Sequence, residues 1–374
     1  MKKSTIKRKV LVAMSGGLDS AVACILLQNQ GFEVLGITLR IFDPDDKPLG
    51  YSPMTVGGNQ DITDASEVAR QLAIPHVVED VRIPFANTVI KNFVSEYFSG
   101  HTPNPCILCN KTIKWKYILQ KADALGCGFI ATGHYAQVVR ENNRAFVRKA
   151  LDAQKEQSYM LWQLGQEELK RTFFPLGTLH KMEVRKIAES YNLTRIAEKR
   201  ESYDICFVPD KDYRLYLKRK KPERIDSFRN GNFIDRNGTF LGHHNGFMFF
   251  TIGQRKGLPA LGFRAYVSEI RPETNEVVIG KEEDLWFTKI EVKNINTMKY
   301  SAIPENIPLT VKLRYRHMGD DALFSSFGEN QGILTFSTPV YAPAPGQSVV
   351  FYEGDDVLGG GIIDHPNPKD KPNG

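Results

Sequence analysis

Five cysteines are spread along the 374 residues, and three of them stand where their surroundings suggest chemistry. Cys106 and Cys109 form a Cys-x-x-Cys pair within Thr102-Pro103-Asn104-Pro105-Cys106-Ile107-Leu108-Cys109-Asn110. Two prolines stiffen this loop, and helical spacing follows from Ile113 to Leu125. A thiol near a helix start is expected to ionise more readily, because the helix dipole favours the thiolate; Lys111 and Lys114 push the same way. Cys206 lies far along the chain in Glu201-Ser202-Tyr203-Asp204-Ile205-Cys206-Phe207-Val208-Pro209. Cys24, on the apolar face of a helix, and Cys127, between two glycines, read as structural. A zinc site would need a second Cys-x-x-Cys or Cys/His pair at the usual distance, and none follows. An odd cysteine count in a long chain does not suggest a secreted disulfide framework. The thiols are therefore expected to start reduced, in a cytoplasmic protein.

The second chemical feature is Ser15-Gly16-Gly17-Leu18-Asp19-Ser20, between a short apolar run (Lys9 to Met14) and a helical run (Ala21 to Gln30). Two glycines let backbone approach a phosphate closely, and the helix that follows points amide hydrogens and partial positive charge at it. Ser15 and Ser20 can add hydroxyl donors. Asp19 cannot bind phosphate directly, so it would act through Mg²⁺. The segment is neither a Walker A loop nor a dinucleotide fingerprint.

These residues need a frame, and the first half of the chain reads as alternating strand and helix. Strands are expected over Lys9–Met14, Val34–Leu39, His76–Val81 and Gly128–Thr132. Helices are expected over Ala21–Gln30, Asp64–Leu72 and Ile113–Leu125. That rhythm predicts a parallel sheet covered by helices. From about residue 210 the character changes. Residues 211–230 hold eight basic side chains against three acidic ones, a concentration that the overall net charge of +6 does not convey. Beyond 230, β-rich runs separated by Gly, Asn and Pro predict one or two small β-barrels: Arg264–Ile270, Glu276–Ile279, Leu309–His317, Gly332–Ser337 and Val349–Tyr352. Alternation over Leu309–Arg316 would put Lys312, Arg314 and Arg316 on one face. The tail from Asp364 reads as loose. The basic start is followed by too short an apolar run for a secretory signal, and no run reaches membrane-span length.

Taken in order, the motifs resemble the tRNA-specific 2-thiouridylase family over nearly the whole chain. The resemblance runs through Ser15–Ser20, Asp61-x-x-Asp64-Ala65, Gly100-x-Thr102-Pro103-Asn104-Pro105, Cys109-Asn110 and Thr132-Gly133-His134-Tyr135-Ala136. It continues through Lys155-x-Gln157-Ser158-Tyr159, Ile205-Cys206-Phe207, Thr251-Ile252-Gly253-Gln254-Arg255-Lys256-Gly257-Leu258 and Pro345-Gly346-Gln347. It implies an α/β, parallel-sheet ATP pyrophosphatase domain over 1–210, resembling the adenine nucleotide α-hydrolases. A small β-rich tRNA-contacting domain over 211–283 and a C-terminal β-barrel over 284–374 would follow.

By position, the resemblance makes Ala13, Met14, Ser15, Gly16, Gly17, Leu18, Asp19, Ser20, Leu39 and Gly133 the ATP contacts. Cys109 would be the nucleophile and Cys206 the persulfide carrier. Asn104, Pro105 and Cys106 would face the target base, and His134, Lys155, Glu156, Gln157, Arg314, Tyr315 and Gln347 would touch tRNA. The implied reaction adenylates the C2 oxygen of wobble uridine and replaces it with persulfide sulfur, leaving a Cys109–Cys206 disulfide for a reductant to reset. Implied partners are tRNA, with Lys, Glu and Gln acceptors expected, and a persulfide donor such as a cysteine desulfurase or sulfur-relay protein. ATP and Mg²⁺ are the expected cofactors, with no metal held by the protein.

Three positions depart from the family pattern. Leu18 replaces a common Val, Glu156 a common Asp, and Cys106 stands where many members carry Asp. With Cys106, the protein has three thiols that could instead hold an iron–sulfur cluster. Rival readings are a synthetase of the ATP pyrophosphatase group acting on a small molecule, which leaves the cysteines unexplained, and a non-catalytic RNA-binding protein, which leaves Ser15–Ser20 unexplained.

Overall fold

The structure is a computed structural model, and it describes residues 8–42, 59–199, 205–208 and 211–366. Along the chain come β1 (Lys9–Ala13), α1 (Leu18–Asn29), β2 (Glu33–Arg40), α2 (Asn59–Gln71), β3 (His76–Asp80), α3 (Arg82–Phe85) and α4 (Lys91–Tyr97). There follow α5 (Pro105–Cys109), α6 (Lys116–Ala124), β4 (Phe129–Ala131), β5 (Ala136–Glu141), β6 (Arg144–Lys149), α7 (Gln166–Lys170), β7 (Thr172–Phe173), α8 (Lys181–Ser190) and α9 (Thr194–Ala197). The remainder is α10 (Tyr213–Lys220), α11 (Pro222–Asp226), β8 (Gly231–Ile234), β9 (Phe240–His244), β10 (Tyr266–Arg271), β11 (Glu276–Gly280), β12 (Trp286–Thr297), β13 (Leu309–Lys312), β14 (Asp320–Gly328), β15 (Gln331–Tyr341), β16 (Ser348–Glu353) and β17 (Asp356–Pro366). By internal contacts the chain divides into two compact units. Residues 1–89, 106–211 and 355–357 form the first, and 90–105, 212–354 and 358–374 the second.

The first unit carries the parallel sheet that the strand–helix rhythm predicts, in the order β3-β2-β1-β4-β7. Val10, Leu11 and Val12 of β1 have no exposed surface, which is why this central strand reads as an unbroken apolar run rather than an alternation. Eight of the twelve residues of α1 are buried, Cys24 among them. The helix ends where Gly31 takes φ +84° and Phe32 N–H reaches the Leu27 carbonyl at 3.1 Å, a glycine-terminated cap. Because β1 is followed in space by β2 on one side and by β4 on the other, the strand order reverses at β1. In open α/β sheets the crevice at the carboxyl ends of such strands is where ligands bind.

The second unit is β-rich. One four-stranded sheet runs β10-β11-β8-β9. The strands β12-β15-β14-β13-β16-β17 close on themselves through the β12–β17 pairing, making a six-stranded antiparallel barrel. Its interior is filled by Ile290, Val311, Phe324, Leu334, Phe351 and Leu358, all nearly inaccessible, as a small barrel requires.

Three expectations need correcting. The helix expected from Ile113 begins at Pro105: α5 passes through a π-helical turn (Asn110–Trp115) into α6. The strand expected over Leu309–His317 stops at Lys312. Leu313 turns inward, its N–H donating to His317 Nδ1 at 3.2 Å, and His317 N–H bonds the Arg314 carbonyl. Arg314 and Arg316 therefore sit on a turn rather than on a strand face with Lys312. The tail does not loosen at Asp364, because β17 continues to Pro366; the remainder of that tail, 367–374, lies outside the described residues.

Candidate functional site

The Gly-rich loop leaves the end of β1 and enters α1 at Leu18. Gly16 has φ +66°, and a methyl group placed on it would lie 2.5 Å from the Asp61 carbonyl oxygen and 2.9 Å from Asp64 Cβ. Glycine is thus required twice, for the left-handed backbone and for the close approach to α2. Ser20 Oγ accepts from Ser15 N–H at 3.2 Å and donates to the Gly17 carbonyl at 3.0 Å, so it holds the turn together from within. Ser15 is exposed. Met14 is fixed by β2: its N–H bonds the Ile37 carbonyl at 2.7 Å, and its own carbonyl accepts from Thr38 Oγ1 at 2.9 Å. Leu39 is half-buried near the end of β2, beside the same sheet edge. Gly133, just past β4, packs its backbone on Asp19 and Ser20; a methyl group there would lie 2.8 Å from the Asp19 carbonyl carbon. The predicted ATP contacts Ala13–Ser20, Leu39 and Gly133 thus gather at the carboxyl ends of β1, β2 and β4.

Asp19 is held from two sides. Its Oδ1 accepts from Lys181 Nζ at 2.7 Å and from Tyr135 OH at 2.9 Å. Lys181 is only 8% exposed, and its backbone N–H is anchored to Asp152 Oδ2 at 2.9 Å. No sequence motif singles out this lysine. The signal available is its place on the buried stripe of α8, with Val184 and Ala188 three and seven residues on, where a charged residue needs a partner. Mg²⁺ is commonly held by one or two carboxylates together with substrate phosphates, and Asp19, at the start of α1 beside the glycine loop, supplies one such carboxylate. Asp19 is the residue that would hold it, and the ion would neutralise phosphate charge there.

The three thiols of interest belong to the first unit, and all five cysteines are free. Cys106, Cys109 and Cys206 lie close enough to raise one another's proton affinity electrostatically. The expected activation of Cys109 is contradicted. Because the helix begins at Pro105, Cys109 sits a full turn in rather than at the N-terminus, and it is 5% exposed. Burial pushes its thiol up to about 11, against a smaller downward pull from Lys114. Burial pushes the half-buried Cys206 thiol up too, with Cys109 and Cys106 adding to it. Cys106, one turn before Cys109, has its sulfur's proton affinity raised by the surrounding protein, yet its surface is exposed; exposure decides which thiol a reagent meets first. Among the described residues, no group of three or more His, Cys, Asp or Glu side chains is arranged to hold a metal ion. Asn110, next to Cys109, is 2% exposed; its Nδ2 donates to the Met160 carbonyl at 2.9 Å, while its Oδ1 has no partner among the described residues.

The remaining candidates fall into two groups. In the first unit, His134 Nδ1 lies 2.7 Å from Thr132 Oγ1, and its ring packs beside Trp115 and Phe174. Burial holds its pKa down to about 3, with Lys114 adding to the effect. His134 is therefore neutral at physiological pH and offers hydrogen bonds rather than charge. In a pH titration followed by NMR, the His134 ring signals are expected to stay at their neutral positions from pH 7 down to about 4; a midpoint near 6.5 would contradict this. Gln157 exchanges two bonds with the Tyr135 backbone, at 2.8 and 2.9 Å, beside half-buried Lys155. Glu156 is buried and accepts from Ser158 N–H at 2.5 Å.

In the second unit, three motifs distant in sequence converge. Gln347 Nε2 donates to the Thr102 carbonyl at 2.8 Å, Thr102 N–H bonds the Pro345 carbonyl at 2.8 Å, and Thr102 Oγ1 meets Thr251 Oγ1 at 3.2 Å. Gln347 thus braces the segment leading to Asn104 and Pro105. Arg314 is exposed, with Nη2 donating to the Tyr341 carbonyl at 3.1 Å, and Tyr315 is half-buried.

Comparison with known proteins places the chain in a family. Residues 8–210 match the tRNA methyl transferase HUP domain, 222–281 the tRNA methyl transferase PRC-barrel domain, and 287–363 the aminomethyltransferase beta-barrel domain. The tRNA-specific 2-thiouridylase MnmA of Cytophaga hutchinsonii is 46% identical over 361 residues, covering 96% of this chain and 97% of that protein. The protein of the same name from Carboxydothermus hydrogenoformans is 44% identical, covering 96% and 98%. Among solved structures, a 4-thiouridine synthetase–RNA complex with bound ATP aligns with a TM-score of 0.37 and 15% identity over 58% of this chain and 51% of that one. With identity at this level over nearly the full length of both chains, the protein belongs to the tRNA-specific 2-thiouridylase family.

Proposed function

We propose that this chain is a tRNA-uridine 2-sulfurtransferase that uses ATP to activate the C2 oxygen of the wobble uridine and delivers persulfide sulfur in its place. The observation that carries the reading is the pairing, within one compact unit, of a glycine loop built for phosphate with three neighbouring thiols. Neither feature alone calls for the other; replacing a carbonyl oxygen by sulfur needs both.

In this reading Ala13–Ser20, Leu39 and Gly133 bind ATP, and Asp19 holds Mg²⁺. Lys181, already beside Asp19, adds positive charge where pyrophosphate departs. Uridine O2 attacks the α-phosphorus, pyrophosphate leaves, and the oxygen becomes part of a good leaving group. The terminal sulfur of a Cys206 persulfide then bonds to C2 and AMP departs. Cys109 attacks the Cys206 sulfur, breaking its bond to the transferred sulfur; 2-thiouridine is released and a Cys109–Cys206 disulfide remains for an external dithiol to reduce. Asn104, Pro105 and Cys106 face the flipped base, whose loop position makes splaying it out inexpensive. Residues 1–210 act as the catalytic domain. The 211–283 and 284–374 domains hold tRNA, through the basic stretch of α10 and α11 and through Arg314, Tyr315 and Gln347. His134, Lys155, Glu156 and Gln157 complete the tRNA contacts. The acceptors are tRNAs for Lys, Glu and Gln, the sulfur comes from a cysteine desulfurase or a sulfur-relay protein, and the setting is the cytoplasm.

Pyrophosphate release from ATP, measured with and without tRNA, tests this directly. Release that depends on tRNA is expected. Release driven by a small carboxylate or purine, with tRNA having no effect, would assign the chain to the synthetase branch instead.

A further inference from the structure

Beneath the glycine loop lies an ion cluster that the reaction above does not use. Asp61 and Asp64 stand one helical turn apart at the start of α2, and both are nearly buried, at 6% and 5% exposure. Lys199 Nζ reaches Asp61 Oδ1 at 2.8 Å, Asp64 Oδ2 at 2.8 Å and, at 3.5 Å, the carbonyl oxygen of Gly16. Arg195 closes the cluster from outside, 2.6 Å from Asp64 and 2.7 Å from Glu67. Despite burial, hydrogen bonds from Lys199 and Gln60 and the nearby positive charges hold the Asp64 carboxyl below its ordinary range, and the two carboxylates raise Lys199, so at neutral pH Asp64 is a carboxylate and Lys199 an ammonium.

Buried charges of this kind contribute little net stability, because desolvation offsets most of their attraction. Their geometry, however, bears on the loop. The Gly16 carbonyl points down at Lys199. In a trans peptide the C=O and the following N–H point in opposite directions, so drawing the Gly16 carbonyl towards the floor turns the Gly17 N–H away from it, to the side on which an anion must approach. The same turn of α2 supplies the surface against which Gly16 packs, leaving no room for a methyl group.

We infer that Lys199 is a positioning residue for nucleotide activation: clamped by Asp61 and Asp64, it fixes the Gly16–Gly17 peptide so that its N–H faces phosphate. The inference rests on the reading of Ser15–Ser20 as an ATP loop. Unlike Lys181, Lys199 would not touch ATP.

The test compares wild type with Lys199→Met, Lys199→Arg and Asp64→Asn in tRNA-dependent pyrophosphate release, with tRNA affinity and thermal melting recorded for each. Lys199→Met is expected to lower kcat/KM for ATP by roughly a hundredfold, the scale set by misplacing a binding group by about an ångström, while tRNA affinity stays at the wild-type level. Lys199→Arg, which keeps the charge, should recover at least half of that loss on a logarithmic scale. Asp64→Asn should show the same defect in weaker form and covers the case in which Lys199→Met fails to fold. Unchanged kcat/KM for ATP in both Lys199→Met and Asp64→Asn overturns the inference alone. Equal losses of ATP use and tRNA affinity, tracking the melting temperature, also overturn it, because they describe a merely structural lysine. A wild-type protein that releases no pyrophosphate overturns the ATP reading and this inference together.

Discussion

Replacing Cys109 or Cys206 with serine is expected to reduce 2-thiouridine formation by on the order of a thousandfold or more, while ATP binding stays within about twofold of wild type. Serine keeps the size of the side chain but cannot carry a sulfane sulfur or open a persulfide. The proposed ATP contacts, Ala13–Ser20, Leu39 and Gly133, include no cysteine, so the nucleotide site should survive. The two variants separate by what they retain. Given a labelled donor, Cys109→Ser should hold persulfide sulfur on Cys206, whereas Cys206→Ser should hold none there. Near-normal turnover in either would remove the two-thiol mechanism. The raised Cys109 pKa, about 11, adds a consequence for the resting enzyme. Below that value its thiolate fraction grows with each pH step, so alkylation by iodoacetamide should be slow at pH 7 and accelerate towards pH 11. Exposed Cys106 should be labelled first at every pH. If Cys109 is labelled as fast as Cys106 at pH 7, the burial described above does not govern its reactivity.

Gly16→Ala is expected to abolish nucleotide use with similar severity, for a backbone reason. Alanine at φ +66° is strained by about 1 kcal/mol or more, and its Cβ would meet the Asp61 carbonyl at 2.5 Å, a backbone atom that can move only by shifting α2. Relief comes by rotating the Gly16–Gly17 peptide, which takes its N–H from the phosphate side. Isothermal titration with ATP should show more than a tenfold weakening, accompanied by a lower melting temperature. Gly17→Ala is the control. Its nearest neighbour would be Ser15 Oγ at 3.4 Å, an ordinary contact, so its effect should be much smaller. Equal losses in the two variants would contradict the role given to Gly16.

Much of this is legible in the residues themselves. The unbroken Val10–Leu11–Val12 run announces a central parallel strand, and the Ser15–Ser20 spacing announces the turn at its end. The β-rich second half is legible from its Gly, Asn and Pro punctuation. Elsewhere tertiary context outweighs local pattern. Alternation in Leu309–Arg316 looks like a continuous strand, but His317 reaches back to Leu313 and ends it at Lys312. The two prolines ahead of Cys109 look like loop, yet Pro105 is tolerated in the first turn of a helix, where its missing N–H costs nothing. That shift of the helix start by two turns takes Cys109 away from the helix terminus expected to favour its thiolate, and burial raises its thiol instead. Lys181 and Lys199 are invisible for a different reason: each is meaningful only through a carboxylate more than a hundred residues away, and no periodicity encodes such a pairing.

That this chain puts sulfur on a tRNA uridine is tested most directly by mass spectrometry of nucleosides. The sample is tRNA incubated with the purified protein, Mg·ATP and a persulfide donor, then digested. The predicted product is 2-thiouridine at the wobble position, formed only when ATP and the donor are both present and absent with Cys206→Ser. Unmodified uridine under all conditions, or thiolation that proceeds without ATP, would contradict it.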